Sequence, residues 1–249
     1  MVTIKTSQEI EKMKKSAKIL SEVKQVIYDS IKPGISLLEL DAIAEKEILA
    51  RGAKSNFKGY GGFPNVACIS VNEILIHGIP SKYILKDGDL ISVDLGCTWQ
   101  GYHSDSAFTK GVGKISKQSQ KVIDVAKKAF YIGLNAIKPG ARIGDISAAI
   151  GDYVHSQKMF VPDNFTGHGI GTSLHEDPYI PNDGYPKQGP LLKNGMVICI
   201  EPMIMQGSSA VKILSDKWTV QAIDGMNTAH YEHTILIEDG YGVVLTEGI

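Results

Sequence analysis

The sequence predicts an α+β domain of two similar halves related by a pseudo-two-fold, with strands meeting near the middle and helices covering one face. An internal duplication and a shared order of elements around its anchors predict this. Ile31-Lys32-Pro33-Gly34 recurs as Ile137-Lys138-Pro139-Gly140 at an offset of 106, and Leu85-Lys86-Asp87-Gly88 recurs as Leu192-Lys193-Asn194-Gly195 at an offset of 107. Two near-identical offsets argue against chance, and two units are too few for a solenoid. The halves run roughly over 1–110 and 111–249 of one domain spanning 1–249. A strand layer shared by two halves makes a natural central cleft.

Taken in order, the first helix begins near Thr6, where Thr6-Ser7-Gln8-Glu9 has capping-box spacing. Ile10, Met13, Ala17, Leu20 and Ile27 then fall on one face. Pro33-Gly34 stops it, and Ser36-Leu37-Leu38-Glu39 caps a second helix. The Leu85–Gly88 turn leads into the strand Leu90-Ile91-Ser92-Val93-Asp94, and Cys97 to Gly101 reads as the turn to the next strand. The second half repeats this. Val122, Ala126, Ala129, Phe130 and Ile137 have helical spacing, Asp145-Ile146 opens the next helix, and Met196–Glu201 is the strand after the second turn. Tyr231–Ile237 is a further strand, which the repeat pairs with the one carrying Glu201.

Composition excludes several classes of function. The 249 residues are 43% hydrophobic, enough for a substantial core, and the net charge of −1 points away from non-specific nucleic-acid binding. No apolar run reaches bilayer-spanning length, and MVTIKTSQEIEKMKKSAKIL lacks the apolar core of a secretory signal. The protein therefore reads as cytoplasmic, without membrane or nucleic-acid partners. Cys68, Cys97 and Cys199 fit neither a disulfide framework nor a zinc knuckle. Lys12, Lys14, Lys15 and Lys18 read as a solvated helix face.

Five residues want a cation. The repeat aligns Asp94 with Glu201, each nine residues after its turn leucine and each at the end of an apolar strand. A lone carboxylate there would be heavily desolvated, and a metal ion relieves that cost. A hairpin symmetric about Trp99 and Gln100 sets Asp105 directly opposite Asp94, where like charges repel unless a cation lies between them. Glu232 starts the strand expected beside Glu201. His168 lies in Gly167-His168-Gly169-Ile170-Gly171, where the glycines suggest backbone brought close to a ligand and an imidazole presented from a loop. Taken singly, each acid reads as a solvated strand end; together they read as a site. Four carboxylates and an imidazole favour manganese, iron or cobalt, with zinc also compatible, and shared carboxylates imply two ions. The glycine cluster lacks the Lys-Ser/Thr of a phosphate loop.

At these residues the sequence resembles the type I methionine aminopeptidases of bacterial form, over essentially the whole chain. The most specific stretches are Cys68–Glu73 with His77-Gly78-Ile79-Pro80, Val93-Asp94 with Asp105, Gly167–Gly171, Ile200-Glu201-Pro202-Met203 and Tyr231-Glu232-His233-Thr234. The resemblance implies the pita-bread fold, a central curved antiparallel sheet with helices on its outer face. It leaves no room for the separate N-terminal domain of proline-specific relatives, nor for the helical insertion of type II enzymes. It implies removal of the initiator methionine from the N-terminal peptides of nascent proteins with a small second residue. A monomer is expected; transient ribosome contact suits this function, though no segment carries it.

By the resemblance, Asp105 and Glu232 bridge two divalent ions, Asp94 completes one, and His168 with Glu201 completes the other. Glu201 is the expected proton acceptor. His175 donates to the oxyanion, and His77 contacts the scissile amide nitrogen or the next residue. From the sequence alone these two histidines read as packed or solvated side chains. The methionine pocket is implied to comprise Phe57, Tyr60, Phe63, Cys68, Leu174 and Trp218, with His77 at its edge. Phe63, Leu174 and Phe57 replace a tyrosine, a phenylalanine and a small residue common in relatives. The backbone at Asn72 is implied to hold a monovalent cation. His103, His155, His230 and His233 read as packed or solvated side chains, with His233 facing away from Glu232. Two competing readings are a catalytically silent peptide-binding member of the fold, which would have lost ligands, and an aminopeptidase or dipeptidase of other specificity.

Overall fold

The computed structural model describes residues 2–248. The first half contains α1 (Ser7–Ser30), α2 (Leu37–Ala50), β1 (Lys54–Ser55), β2 (Ala67–Val71), β3 (Ile74–Ile76), β4 (Leu90–Trp99) and β5 (Tyr102–Gly111). The second contains α3 (Lys117–Asn135), α4 (Ile143–Ser156), β6 (Thr166–Gly169), β7 (Glu176–Pro181), β8 (Val197–Ile200), β9 (Met203–Met205), β10 (Val211–Ile213), β11 (Val220–Ala222), β12 (Thr228–His230), β13 (Glu232–Glu238) and β14 (Tyr241–Val244). None of the described helices is long and apolar enough to cross a membrane.

Local chemistry sets the helix boundaries. Thr6 and Glu9 close the expected box on α1, and Ser36 and Glu39 close it on α2. Asp145 does not open α4 but stands one turn inside it. Its carboxylate accepts the Arg142 N–H at 2.7 Å, so the helix starts at Ile143, two residues earlier than the sequence reading placed it. Met13, Ala17, Leu20 and Ile27 of α1 are buried, as are Val122, Ala126, Ala129 and Phe130 of α3.

The duplication is visible in the backbone. Ser36 bridges Ile84 in the first half, and Arg142 bridges Leu191 in the second. Gly88 and Gly195, the ends of the two matched turns, both have positive φ (97° and 83°), a conformation that favours glycine. One antiparallel sheet of nine strands runs through both halves, in the order β1-β4-β5-β13-β8-β6-β7, with β2 on β4 and β14 on β13. The halves join where β5 pairs β13, Glu232 against Ala107. Apolar residues of all four helices pack on one face of this sheet. The opposite face carries the site.

The β4–β5 hairpin differs from the symmetric register the sequence suggested. Strand β4 continues to Trp99, and the turn is only Gln100-Gly101, with φ of 49° and 81°. Both residues lie in the left-handed region that a tight two-residue hairpin demands. Trp99 therefore pairs Tyr102, Asp94 faces Ala107, and Asp105 faces Gly96. The two aspartates are diagonal neighbours on one face, not direct partners.

Candidate metal centre

Register alone brings the acids together. Asp94 faces Ala107 and Ala107 faces Glu232, so one row crosses β4, β5 and β13. His233 pairs Ile200, which carries that row on toward Glu201 at the end of β8. Two residues along the strands, a second row holds Asp105 and, through Cys199, His168. Thr234 locks the rows together. Its hydroxyl accepts from the Asp105 N–H at 3.0 Å and donates to the Asp105 carbonyl at 2.8 Å.

His168 is held on β6, not on a loop, and its glycines serve a purpose the sequence reading did not foresee. A Cβ at Gly167 would lie 2.3 Å from the Cys199 carbonyl oxygen, and one at Gly169 would lie 2.1 Å from the Asp177 carbonyl oxygen. The glycines let neighbouring strand backbones close around His168; they are not spent on a ligand. The His168 Nδ1–H donates to the Gly169 carbonyl at 2.9 Å, leaving Nε2 as a bare lone pair. That nitrogen lies 3.9 Å from Asp105, 3.7 Å from Glu201 and 3.8 Å from Glu232 carboxylate oxygens. Burial pushes the imidazole pKa down to about 3, so the ring is neutral.

The carboxylates fit a divalent cation. Burial raises the pKa of Asp94 to about 6 and, reinforced by the neighbouring acids, carries Asp105, Glu201 and Glu232 well above the usual range. Asp94 Oδ1, Asp105 Oδ1 and Glu232 Oε1 are buried without a hydrogen-bond partner. Oxygens of Asp94, Asp105 and Glu232 come within 4.8 Å of one another. Unpartnered buried oxygens at that spacing would be severely destabilising without a cation to share.

These groups floor a cavity of about 390 Å³. Its walls include Phe57, Tyr60, Phe63, Cys68, His77, Leu174, His175 and Trp218, together with Ile76, Phe165 and Met203, which the sequence reading did not pick out. Phe165 could have been noticed three residues before His168. The Trp218 ring meets Phe63 edge-on at 5.2 Å and His77 at 6.2 Å. Burial lowers the His77 pKa to about 4, and its backbone φ of 56° is unusual for a non-glycine residue. His175 lies ring to ring with His168 at 4.4 Å, and its Nδ1 is 2.7 Å from the Tyr60 hydroxyl.

His233 faces the opposite side of β13, among Phe130, Tyr231 and Thr246. His155 and His103 are remote from the acids, near Asp183 and Thr98 respectively. His230 is different: the sequence alone gives a packed or solvated side chain, yet its Nε2 lies 3.4 Å from Glu201. The signal was its place two residues before Glu232, which in extended chain puts both on one side. At Asn72, the Thr228 hydroxyl lies 3.1 and 3.0 Å from the carbonyl oxygens of Asn72 and Ile74.

Comparison with known proteins agrees with this geometry. Residues 11–239 match metallopeptidase family M24. The chain is 48% identical to methionine aminopeptidase 1 of Bacillus subtilis over 245 residues, covering 98% of this chain and 99% of the relative. The chain belongs to the methionine aminopeptidases of metallopeptidase family M24. The crystal structure of methionine aminopeptidase from Thermotoga maritima superposes with a TM-score of 0.97 at 39% identity, covering all of both chains. The fold is the pita-bread fold of these proteins. A Xaa-Pro dipeptidase from Bacillus anthracis shares it (TM-score 0.81, 26% identity), but 99% of this chain covers only 62% of that one. Membership of family M24 makes the protein a hydrolase that works with divalent metal.

Proposed function

We propose that the protein removes the initiator methionine from nascent chains with a small second residue, using two divalent ions. The observation that carries this reading is one cavity whose floor is the acid–imidazole cluster and whose wall is apolar, aromatic and thiol-bearing. In this assignment Asp94, Asp105 and Glu232 would hold one ion, and His168 and Glu201 would hold the other together with Asp105 and Glu232. The hard, oxygen-rich set suits manganese, iron or cobalt, and also zinc. Bound divalent ions supply Lewis acidity, which polarises a carbonyl and makes water acidic near neutral pH.

The chain's own groups do the rest. Glu201 takes the proton from the attacking water and passes it to the leaving amine. The Tyr60 hydroxyl donates to His175 Nδ1, so the proton on Nε2 is aimed at the developing oxyanion. Neutral His77 contacts the scissile amide nitrogen or the second residue. Phe57, Tyr60, Phe63, Cys68, Leu174 and Trp218 receive the methionine side chain, whose sulfur gains from aromatic contacts. Phe57 narrows one wall. The Asn72 and Ile74 carbonyls support a monovalent-cation site beside Thr228. Nascent chains as substrate place the enzyme in the cytoplasm, and we assign it as a monomeric single domain.

Methionine release from Met-Ala-Ser tests the reading. Metal-stripped protein should be silent, added manganese or cobalt should restore release, and Glu201→Gln should abolish it. Release from Leu-Ala-Ser or Xaa-Pro peptides in place of Met-Ala-Ser would move the assignment to another specificity.

A further inference from the structure

We propose that His230 is an additional protein ligand of the metal centre, closing the Glu201–Glu232 pair from the side opposite His168; this rests on the metallopeptidase reading of the site. Glu201 Oε1 and Glu232 Oε1 lie 3.7 and 3.8 Å from His168 Nε2. The other oxygens of the same two residues, Glu201 Oε2 and Glu232 Oε2, lie 3.4 and 3.9 Å from His230 Nε2. Each carboxylate is thus flanked by an imidazole on both oxygens. Ligand bonds of about 2.1 Å meeting near 90–110° put the donor atoms of one ion about 3.0–3.5 Å apart. The His230–Glu201 separation falls in that range.

Two further observations favour a ligand over a packed histidine. His230 is 2% exposed, and its Nε2 has no hydrogen-bond partner. A buried ring nitrogen left unpaired is destabilising unless something fills its lone pair. Finally, both backbone polar groups of the residue are held. Its N–H donates to the Thr109 hydroxyl at 2.8 Å, and that hydroxyl donates to its carbonyl at 2.9 Å. The clasp fixes the backbone from which the ring projects, and Glu201, Glu232 and His230 already meet the spacing of a three-residue cation site.

The probe is zinc added to metal-free protein carrying ¹⁵N-labelled histidine. Two ring nitrogens, those of His168 and His230, should show the shift that accompanies coordination. The His230→Gln variant should lose one of them and bind zinc more weakly by at least the roughly 10–100-fold that loss of a supporting partner costs. His230→Asn serves the same purpose if the first variant is unstable, and the wild-type signals decide the matter without either. Zinc binding that shifts the His168 nitrogen alone overturns this proposal and leaves the metallopeptidase reading intact. Failure of zinc to bind at all overturns both.

Discussion

Lys24 offers the sharpest test of how this fold carries charge away from its site. It lies on the apolar face of α1 between Leu20 and Ile27 and is completely buried. Its ammonium donates to the Ser106 hydroxyl at 2.9 Å and the Thr246 carbonyl at 3.3 Å, both uncharged. Burial lowers its pKa from 10.5 to about 7, partly opposed by Glu232 and assisted by Lys127. A drop of that size is worth about 5 kcal/mol between the two protonation states. The sign follows from proton counting. Between pH 7 and 10.5 the unfolded chain holds a proton that the native protein has lost, so native stability rises with pH. The destabilisation is complete below about pH 7 and fades toward 10.5. Replacing Lys24 with Met removes that charge and also two hydrogen bonds worth about 1 kcal/mol each. The variant should therefore be more stable than the wild type by about 3 kcal/mol at pH 6. At pH 10 the charge contributes only about 1 kcal/mol, and the variant should be the less stable by about 1 kcal/mol. Urea unfolding of chelator-treated protein at pH 6, 8 and 10 measures the difference. A difference that does not vary with pH, or a variant less stable at pH 6, would refute the reasoning.

Three other perturbations read separate parts of the structure. Tyr60→Phe removes only the hydroxyl 2.7 Å from His175 Nδ1; steady-state kinetics should show kcat down about tenfold for a lost hydrogen bond of about 1.4 kcal/mol, with KM little changed. A change confined to KM would remove His175 orientation from the argument. Gly167→Ala drives a Cβ to within 2.3 Å of the Cys199 carbonyl oxygen, so thermal unfolding should reveal a loss of about 3 kcal/mol, whereas an unchanged midpoint would mean that β6 and β8 separate easily. Manganese at about 100 times its Kd should add about 2.7 kcal/mol to stability at pH 7.5, and Asp105→Asn should erase most of this gain; a variant that retains it would exclude Asp105 from the ligand set.

Much of this architecture was legible because the chain repeats itself. Matching Ile31–Gly34 to Ile137–Gly140 located equivalent helices, and matching the two turns aligned Asp94 with Glu201 before any pairing was known. The hairpin register was not legible from symmetry alone. Whether the β4–β5 turn has two residues or five depends on Gln100 accepting φ of 49°, a choice its side chain does not advertise. His230 was missed for a related reason. Residue spacing shows that it shares a side with Glu232, but β12 pairs β9 and not the strands of the main sheet, and only that packing turns its ring toward Glu201. Lys24 escaped notice because the apolar stripe of α1 reads through it.

The shifted register is also what makes room for a cation. Had Asp94 and Asp105 been direct partners, their carboxylates would have met across a single strand spacing of about 5 Å, with no place for a third acid between them. The register observed instead places Ala107 between Asp94 and Glu232. Those two acids stand two strands apart, about 10 Å, yet their oxygens approach within 4.8 Å because both side chains lean inward over a methyl group. Gly96, opposite Asp105, serves another end: its missing side chain leaves the room that the Asn56 amide fills. A small residue thus sits where Asp94 and Glu232 converge. Each half contributes one pair of acids: the first supplies Asp94 and Asp105 from one hairpin, and the second supplies Glu201 from the end of β8 and Glu232 from β13, with His168 from β6. The two pairs meet only because β5 and β13 join the halves edge to edge. Neither half alone could neutralise, or be neutralised by, a pair of divalent ions, so the seam between the repeats is where the chemistry has to be.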